Sequence, residues 1–161
     1  MDIKERLKMI LINGKIEFIF AMTYVVGTLM LSVWFISRMT VENSIIVMFP
    51  FIGTLTIILL TSSIVKMLVY RDALLALKLQ TSDKTEDTIK KIKSSAKHTF
   101  ESSIFDIFTT LIYLIYTIWF SISNGINGKG AIINLVVILI ITVIITLKSI
   151  MNIKTFLVNF K

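Results

Sequence analysis

Four ionisable residues lie near the ends of apolar segments that are long enough to cross a bilayer. Glu17 and Asp106 come near the start of such segments, and Lys66 and Lys148 near the end. A charge at membrane depth is costly, so it indicates either a function or a specific partner. The two lysines are long enough to snorkel to the headgroups. For the shorter carboxylates, three roles stay open: pairing with a lysine, a cation-attracting ring around an oligomer axis, or a proton-coupled site.

Hydroxyl and amide side chains recur within the same segments. Asn134, Thr142 and Thr146 lie three or four residues apart or at multiples of that spacing, on one stripe of an otherwise apolar helix. With Glu17 and Asp106 they form the candidate pore or vestibule set, although a packing seam would show the same pattern. Most other Ser and Thr residues are expected to help packing, by bonding to the carbonyl four residues earlier.

Pro50 and Gly53 interrupt the second apolar segment. Proline removes one helical hydrogen bond, so this pair predicts a kink in the outer half of that segment. A gate hinge and a static bend are both consistent with it.

Catalytic chemistry finds little support in this chain. It has no cysteine, and its single histidine, His98, lies among lysines, where a surface position is expected. We find no metal-ligand spacing, glycine-rich phosphate loop or nucleophile elbow. The sequence therefore predicts no catalytic, cofactor-binding or metal-binding residues, no cofactor, and a protein that is not an enzyme.

The elements that position these residues are four apolar segments, at about 17–37, 44–66, 104–124 and 131–150. Each has roughly the 20 residues that a helix needs to cross a hydrocarbon core. The composition agrees, with 55% hydrophobic residues and a mean hydropathy of +0.86. We predict an all-α membrane protein, a four-helix transmembrane bundle that forms one membrane domain over residues 1–161.

Basic residues indicate the orientation, since Lys and Arg beside a span stay on the cytoplasmic side. Of the 17 lysines and arginines, only Arg38 and Lys129 fall in the two short loops. Both termini and the central segment are therefore predicted to be cytoplasmic, in a multi-pass protein of the plasma membrane. Trp34 with Phe35, and Trp119 with Phe120, fall at the outer ends of spans, where such rings favour the interface.

Residues 67–103 are predicted to form a cytoplasmic helical hairpin between spans two and three. A helix continues to about residue 80, and Ser82, Asp83 and Thr85 provide a new helix start. The predicted contact packs four leucines against a helical stripe; these residues are Leu74, Leu75, Leu77, Leu79, Ile89, Ile92, Ala96, Phe100 and Ser103.

The lysines of this segment are the candidate contacts for a partner or for lipid: Lys84, Lys90, Lys91, Lys93 and Lys97. They fit either anionic lipid headgroups or a cytoplasmic protein or acidic ligand. Nucleic acid is not expected, because acidic residues are interleaved with the lysines and aromatic stacking partners are missing.

The two halves of the chain share one order of features: acidic residue, span, Trp-Phe, short loop, span, lysine. The first half runs from Glu17 to Lys66 and the second from Asp106 to Lys148, an order that is compatible with a duplicated hairpin. Glu17 near the start of span one also resembles the single membrane glutamate of small four-span multidrug exporters. Those proteins are shorter and lack the charged hairpin, so no residue role is carried over from them.

Three functional classes follow. The first is a homo-oligomeric channel or membrane-perturbing effector controlled through the hairpin, by architectural analogy with small four-span proteins of bacterial stress and phage defence. An oligomer is expected because four spans enclose little aqueous space alone. The second class is a non-conducting immunity or anchoring subunit that binds a toxin or soluble partner. The third is a small proton-coupled transporter that uses Glu17 or Asp106.

Overall fold

The computed structural model describes residues 2–39, 49–82, 84–124 and 129–160. It describes the backbone but not the side chains of residues 31, 34–39, 49–52, 117, 119–124, 129–135, 138 and 160. Except for residues 2, 81, 82 and 84, the described part of the chain is helical. Its elements are α1 (Ile3–Met39), α2 (Phe49–Gln80), α3 (Thr85–Asn124) and α4 (Lys129–Phe160). Successive helices pack side by side, whereas α1 and α4 touch only sparsely.

Three of these helices are long and apolar enough to cross a membrane. The qualifying stretches are Ile3–Met30, Gly53–Gln80 and Leu139–Asn159. Their outward faces carry large exposed apolar side chains, such as Leu29 and Ile57. The chain therefore has the make-up of a multi-pass membrane protein. The predicted span at 104–124 belongs to α3, and part of it falls on side chains outside the description.

Hydroxyl side chains donate hydrogen bonds to backbone carbonyls of their own helix, as predicted. Thr23, Ser63 and Thr109 each donate a hydrogen bond to the carbonyl four residues earlier, at 2.8–2.9 Å. A hydroxyl bonded in this way needs no polar partner on another helix. Because of these hydrogen bonds, an apolar helix can contain many Ser and Thr residues at a small cost in free energy.

The inside of the bundle is more polar than its surface. Among the described residues, buried polar and charged side chains outnumber buried apolar ones. This reverses the arrangement of a soluble protein, because the outer surface is suited to lipid and apolar side chains gain little by leaving it. Polar side chains, by contrast, gain partners only in the interior.

The end of the bundle that carries residues 3–16, 67–82, 84–103 and 149–160, which we term the base, has a small apolar core. Leu7 and Ile10 of α1 pack there with Ala73 and Ala76 of α2 and with Ile92 of α3. Helices α2 and α3 form the predicted antiparallel pair, with a turn at residues 81 and 82. They do not project as an isolated hairpin, since α1 lies against both of them.

The predicted buried face of α2 is wrong. Leu74, Leu75 and Leu77 are exposed, whereas the small residues between them, Ala73 and Ala76, are buried. On α3, Ile92, Ala96 and Ser103 are buried as predicted, but Ile89 and Phe100 are exposed. Alanines allow the helices to approach closely, and the leucines take the outer face instead.

Gly14 lies at the closest approach of α1 to α2. A Cβ atom at this position would lie 3.2 Å from the Ala73 Cβ and 3.3 Å from the Tyr70 Cα. We expect Gly14→Leu to force α1 away from α2 and to lower the stability by about 1–3 kcal/mol, the usual range for overpacking. Thermal unfolding of the detergent-solubilised protein measures this.

The matched control is Gly53→Leu, because a Cβ at Gly53 meets no atom within 4 Å. Its unfolding temperature should stay close to that of the original chain. Equal losses in both variants would contradict the proposed close contact at Gly14.

Candidate functional site

The four ionisable residues singled out in the sequence meet at one level of the bundle, one from each helix. The Lys66 Nζ lies 2.6 Å from an Asp106 carboxylate oxygen and 3.6 Å from Glu17. The Lys148 Nζ lies 2.9 Å from Glu17 and 2.5 Å from Asp106. Carboxylate and lysine side chains alternate around the four helices, so their contacts form a closed circuit. We call these four residues the charge ring.

Burial of the charge ring is nearly complete. Glu17, Lys66 and Asp106 are fully buried, and Lys148 is 6% exposed. The prediction that both lysines snorkel outward is therefore wrong. The two carboxylates pair with lysines, which was one of the three roles left open for them. With two charges of each sign, the ring is neutral when all four groups are ionised.

Three further side chains satisfy the remaining hydrogen-bonding capacity of the ring. The Ser102 hydroxyl accepts a hydrogen bond from Lys66 at 2.7 Å and donates one to Glu17 at 2.8 Å. The Asn152 amide donates to the second oxygen of Glu17 at 2.7 Å, and the Tyr24 hydroxyl donates to Asp106 at 2.9 Å. A buried charge is tolerated only when it is paired and hydrogen-bonded in this way.

Sequence reasoning missed Ser102, Asn152 and Tyr24 as members of the site. Ser102 lies four residues before Asp106, Asn152 four residues after Lys148, and Tyr24 seven residues after Glu17. Each spacing places the polar residue on the same helix face as its charge. This periodicity was the available signal.

Two aromatic rings cover the charges on the side away from the base. The Lys148 Nζ lies 4.3 Å from the centre of the Phe20 ring, and the Lys66 Nζ lies 5.1 Å from the centre of the Tyr24 ring. A cation over a ring face is attracted by the ring quadrupole. Phe20 and Tyr24 thus separate the charge ring from the space beyond it.

That space is a cavity of about 760 Å³ between α1, α3 and α4. Phe20 and Tyr24 belong to its wall, together with Gly27, Leu59 and mostly apolar residues of α3 and α4. Other wall residues are exposed on the outside of the bundle; these are Ile19, Met30, Ile141 and Ile144. The cavity is therefore open to the side, along the seam where α1 and α4 touch only sparsely.

On the base side of the ring, α1 and α4 are joined by polar contacts. The Asn13 amide donates to the Thr155 hydroxyl at 2.6 Å, and both residues are buried. The amide of Asn159, one turn further along α4, donates to the Met9 sulfur of α1 at 3.8 Å. Among the described residues, the seam between α1 and α4 is closed at the base and at the ring, and it opens beside the cavity.

A second polar cluster lies at the base around Asp72, which is 1% exposed. Its carboxylate accepts from the Ser94 hydroxyl at 2.6 Å and from the Arg71 guanidinium at 3.0 and 3.2 Å. Lys91 lies 3.6 Å away. His98, for which a surface position was expected, is half-buried, with its Nε2 3.8 Å from Asp72 and its Nδ1 2.8 Å from Glu101. The cluster joins α2 to α3.

Of the remaining pore candidates, Thr142 lines the cavity, and Thr146 is exposed and donates to the Thr142 carbonyl at 2.7 Å. The Asn134 side chain lies outside the described residues.

Pro50 lies in the first turn of α2 (Phe49–Gln80), where a missing backbone N–H costs little. A hinge at Pro50 and Gly53 stays a prediction. The side chains of Trp34, Phe35, Trp119 and Phe120 also lie outside the description.

The candidate contact lysines are not equivalent. Lys84 and Lys90 are exposed, and Lys93 is half-buried. Lys97 is exposed beside Glu101, at 3.8 Å, and Lys91 is drawn toward Asp72. Lys84 and Lys90 therefore present their charge most fully to a partner or to headgroups.

Comparison of the chain with protein families, curated proteins and solved structures gives no match. In the part of the chain that the structure describes, no three His, Asp or Glu side chains converge as a metal site would require. The charge ring and the cavity above it are thus the features from which a function must be argued.

Removing one member of the charge ring should destabilise the bundle strongly. Lys66→Met leaves a buried excess of negative charge, for which we expect a loss of about 3–5 kcal/mol. The double variant Lys66→Met with Asp106→Asn restores neutrality and should recover most of that loss. Thermal or denaturant unfolding of the solubilised protein compares the two.

Lys15→Met provides the control, because Lys15 is an exposed lysine of α1. Its effect should stay within about 0.5 kcal/mol, as for most surface changes. A double variant that is no more stable than Lys66→Met alone would contradict the idea that charge balance, and not each separate contact, stabilises the ring.

Proposed function

We propose that this protein is a small proton-coupled transporter with four membrane spans and both termini in the cytoplasm. The observation that carries the proposal is the position of the charge ring between a laterally open cavity and the base. A transporter needs a binding space and a barrier that closes it on one side. Here the cavity supplies the space, and the ring with Phe20 and Tyr24 supplies the barrier.

The charge balance of the ring would change if a proton bound to one of its carboxylates. Both carboxylates are buried, and each is balanced by lysines within one copy of the chain. Protonation of Asp106 would leave Lys66 and Lys148 facing each other with only Glu17 as a counter-charge, which weakens the barrier. Buried carboxylates in membrane helices commonly serve as such proton relays.

The topology of this proposal follows the distribution of basic residues, since fifteen of the seventeen fall at the termini or in the central segment. The base is then cytoplasmic. The ring lies about 20 Å from the base end of α1, at about 1.5 Å per residue, near the inner edge of the hydrocarbon layer. The cavity lies within the bilayer.

The other two functional classes find less support. In an oligomeric channel, Glu17 and Asp106 of several copies would surround a common axis and attract cations. Both carboxylates would then have to leave their lysine partners. An anchoring or immunity subunit is favoured by exposed lysines of the base, such as Lys84 and Lys90. These lysines suit anionic headgroups as well as a protein partner, and the transporter retains them in either role.

The test uses proteoliposomes with an imposed pH gradient and a panel of neutral, cationic and anionic membrane-soluble dyes. We expect gradient-driven flux of at least one dye above that of protein-free liposomes. The neutral double variant Lys66→Met with Asp106→Asn should reconstitute normally but fall to the protein-free rate, because it retains charge balance and loses one proton site. Flux equal to that of the original chain in the double variant would contradict proton coupling at the ring.

Planar-bilayer recording of the same preparation separates the transporter from a channel. A transporter should give no unitary current steps. Discrete steps that persist in the original chain without a pH gradient would overturn the proposal in favour of conduction.

A further inference from the structure

The cavity above the charge ring has the size and the lining of a small-molecule site. Its volume of about 760 Å³ lies within the range of about 300–1,000 Å³ that is typical of drug-sized ligands. Most of the wall is apolar, and the opening along the α1–α4 seam faces the lipid side of the bundle. A ligand that enters here must first dissolve in the bilayer.

Four hydroxyl groups of the wall have already used their donor protons. Thr23, Thr109 and Thr110 each donate to the carbonyl four residues earlier, at 2.8–2.9 Å, and Tyr24 donates to Asp106 at 2.9 Å. A hydroxyl has one proton and two lone pairs, so these four groups can still accept. They therefore complement a ligand that donates a hydrogen bond.

The charge ring offers no unpaired charge to the cavity. Each carboxylate is held by both lysines, and Ser102, Asn152 and Tyr24 take up further positions on the oxygens. A quaternary ammonium ion would find no free carboxylate, and an organic acid would find no free lysine. Charged ligands would also lose their hydration against the apolar wall.

We propose that this cavity binds a neutral amphiphile of drug-like size whose single polar group is a hydrogen-bond donor, such as a hydroxyl. The ligand enters from the bilayer through the α1–α4 seam and directs its hydroxyl toward Tyr24 and the threonines. This inference rests on the proposed function where it names a substrate class, but the binding itself requires only the cavity.

The experiment compares four probes that share one apolar body: pyrenebutanol, its methyl ether, pyrenebutyrate and pyrenebutyl-trimethylammonium. Each is added to the detergent-solubilised protein, and the shift of the unfolding temperature is measured, since a ligand that binds only the folded state raises it. We expect pyrenebutanol to raise the Tm by about 5 °C near saturation, and the other three to have much smaller effects. An equal or larger shift with the ammonium or carboxylate probe would overturn the neutral class, and an equal shift with the ether would overturn the need for a donor.

Gly27→Leu tests the location. A Cβ at Gly27 meets no atom within 4 Å, so the new side chain can occupy cavity space without a clash. The shift with pyrenebutanol should disappear in this variant and remain in Gly53→Leu, whose glycine is equally open but does not line the cavity. A full shift in Gly27→Leu would place the ligand elsewhere and overturn the site.

If Gly27→Leu does not fold, photolabelling of the unchanged protein decides the same point. A diazirine-bearing long-chain alcohol should label buried residues of the cavity wall, such as Leu59 and Ile145, and unlabelled pyrenebutanol should compete. Labelling confined to the outer faces of the helices would overturn the site. If pyrenebutanol binds but no dye is transported, only the proposed transport is overturned. If only cationic dyes are transported, only the proposed ligand class is overturned.

Discussion

The closed circuit of ion pairs among Glu17, Lys66, Asp106 and Lys148 is the interaction on which the arrangement of the helices depends. Each helix supplies one charge, and each charge touches members on two other helices. A shift of any helix by one residue turns its side chains by about 100° and would carry its charge from the interior to the lipid-facing surface. The ring therefore fixes the rotation of all four helices at one level.

Polar contacts replace the hydrophobic core along much of the bundle. In a bilayer the apolar side chains have little to gain by burial, so helix association relies on close packing and on interhelical hydrogen bonds. Where such contacts occur, as at Asn13 and Thr155, α1 and α4 meet. Beside the cavity α1 and α4 touch only sparsely, and the seam opens. The cavity thus lies beyond the polar contacts that join α1 to α4.

Apolar segment length and the polar stretch near residue 82 were sufficient to predict four helices and the turn between α2 and α3. The sequence also singled out all four members of the charge ring. It did not predict that the lysines turn inward, because this depends on the angular position of each helix in the bundle. The buried face of α2 was misassigned for a related reason: leucine was taken as a core residue, whereas Ala73 and Ala76 form the contact.

The distribution of the ring charges has a consequence for the biogenesis of the protein. Each half of the chain carries one acid and one lysine of the ring, and these two contact each other: Glu17 with Lys66 at 3.6 Å, and Asp106 with Lys148 at 2.5 Å. In the proposed topology each helical pair can neutralise its own buried charge as it leaves the insertion machinery. The first pair therefore need not hold an uncompensated ion in the bilayer while the ribosome completes the second.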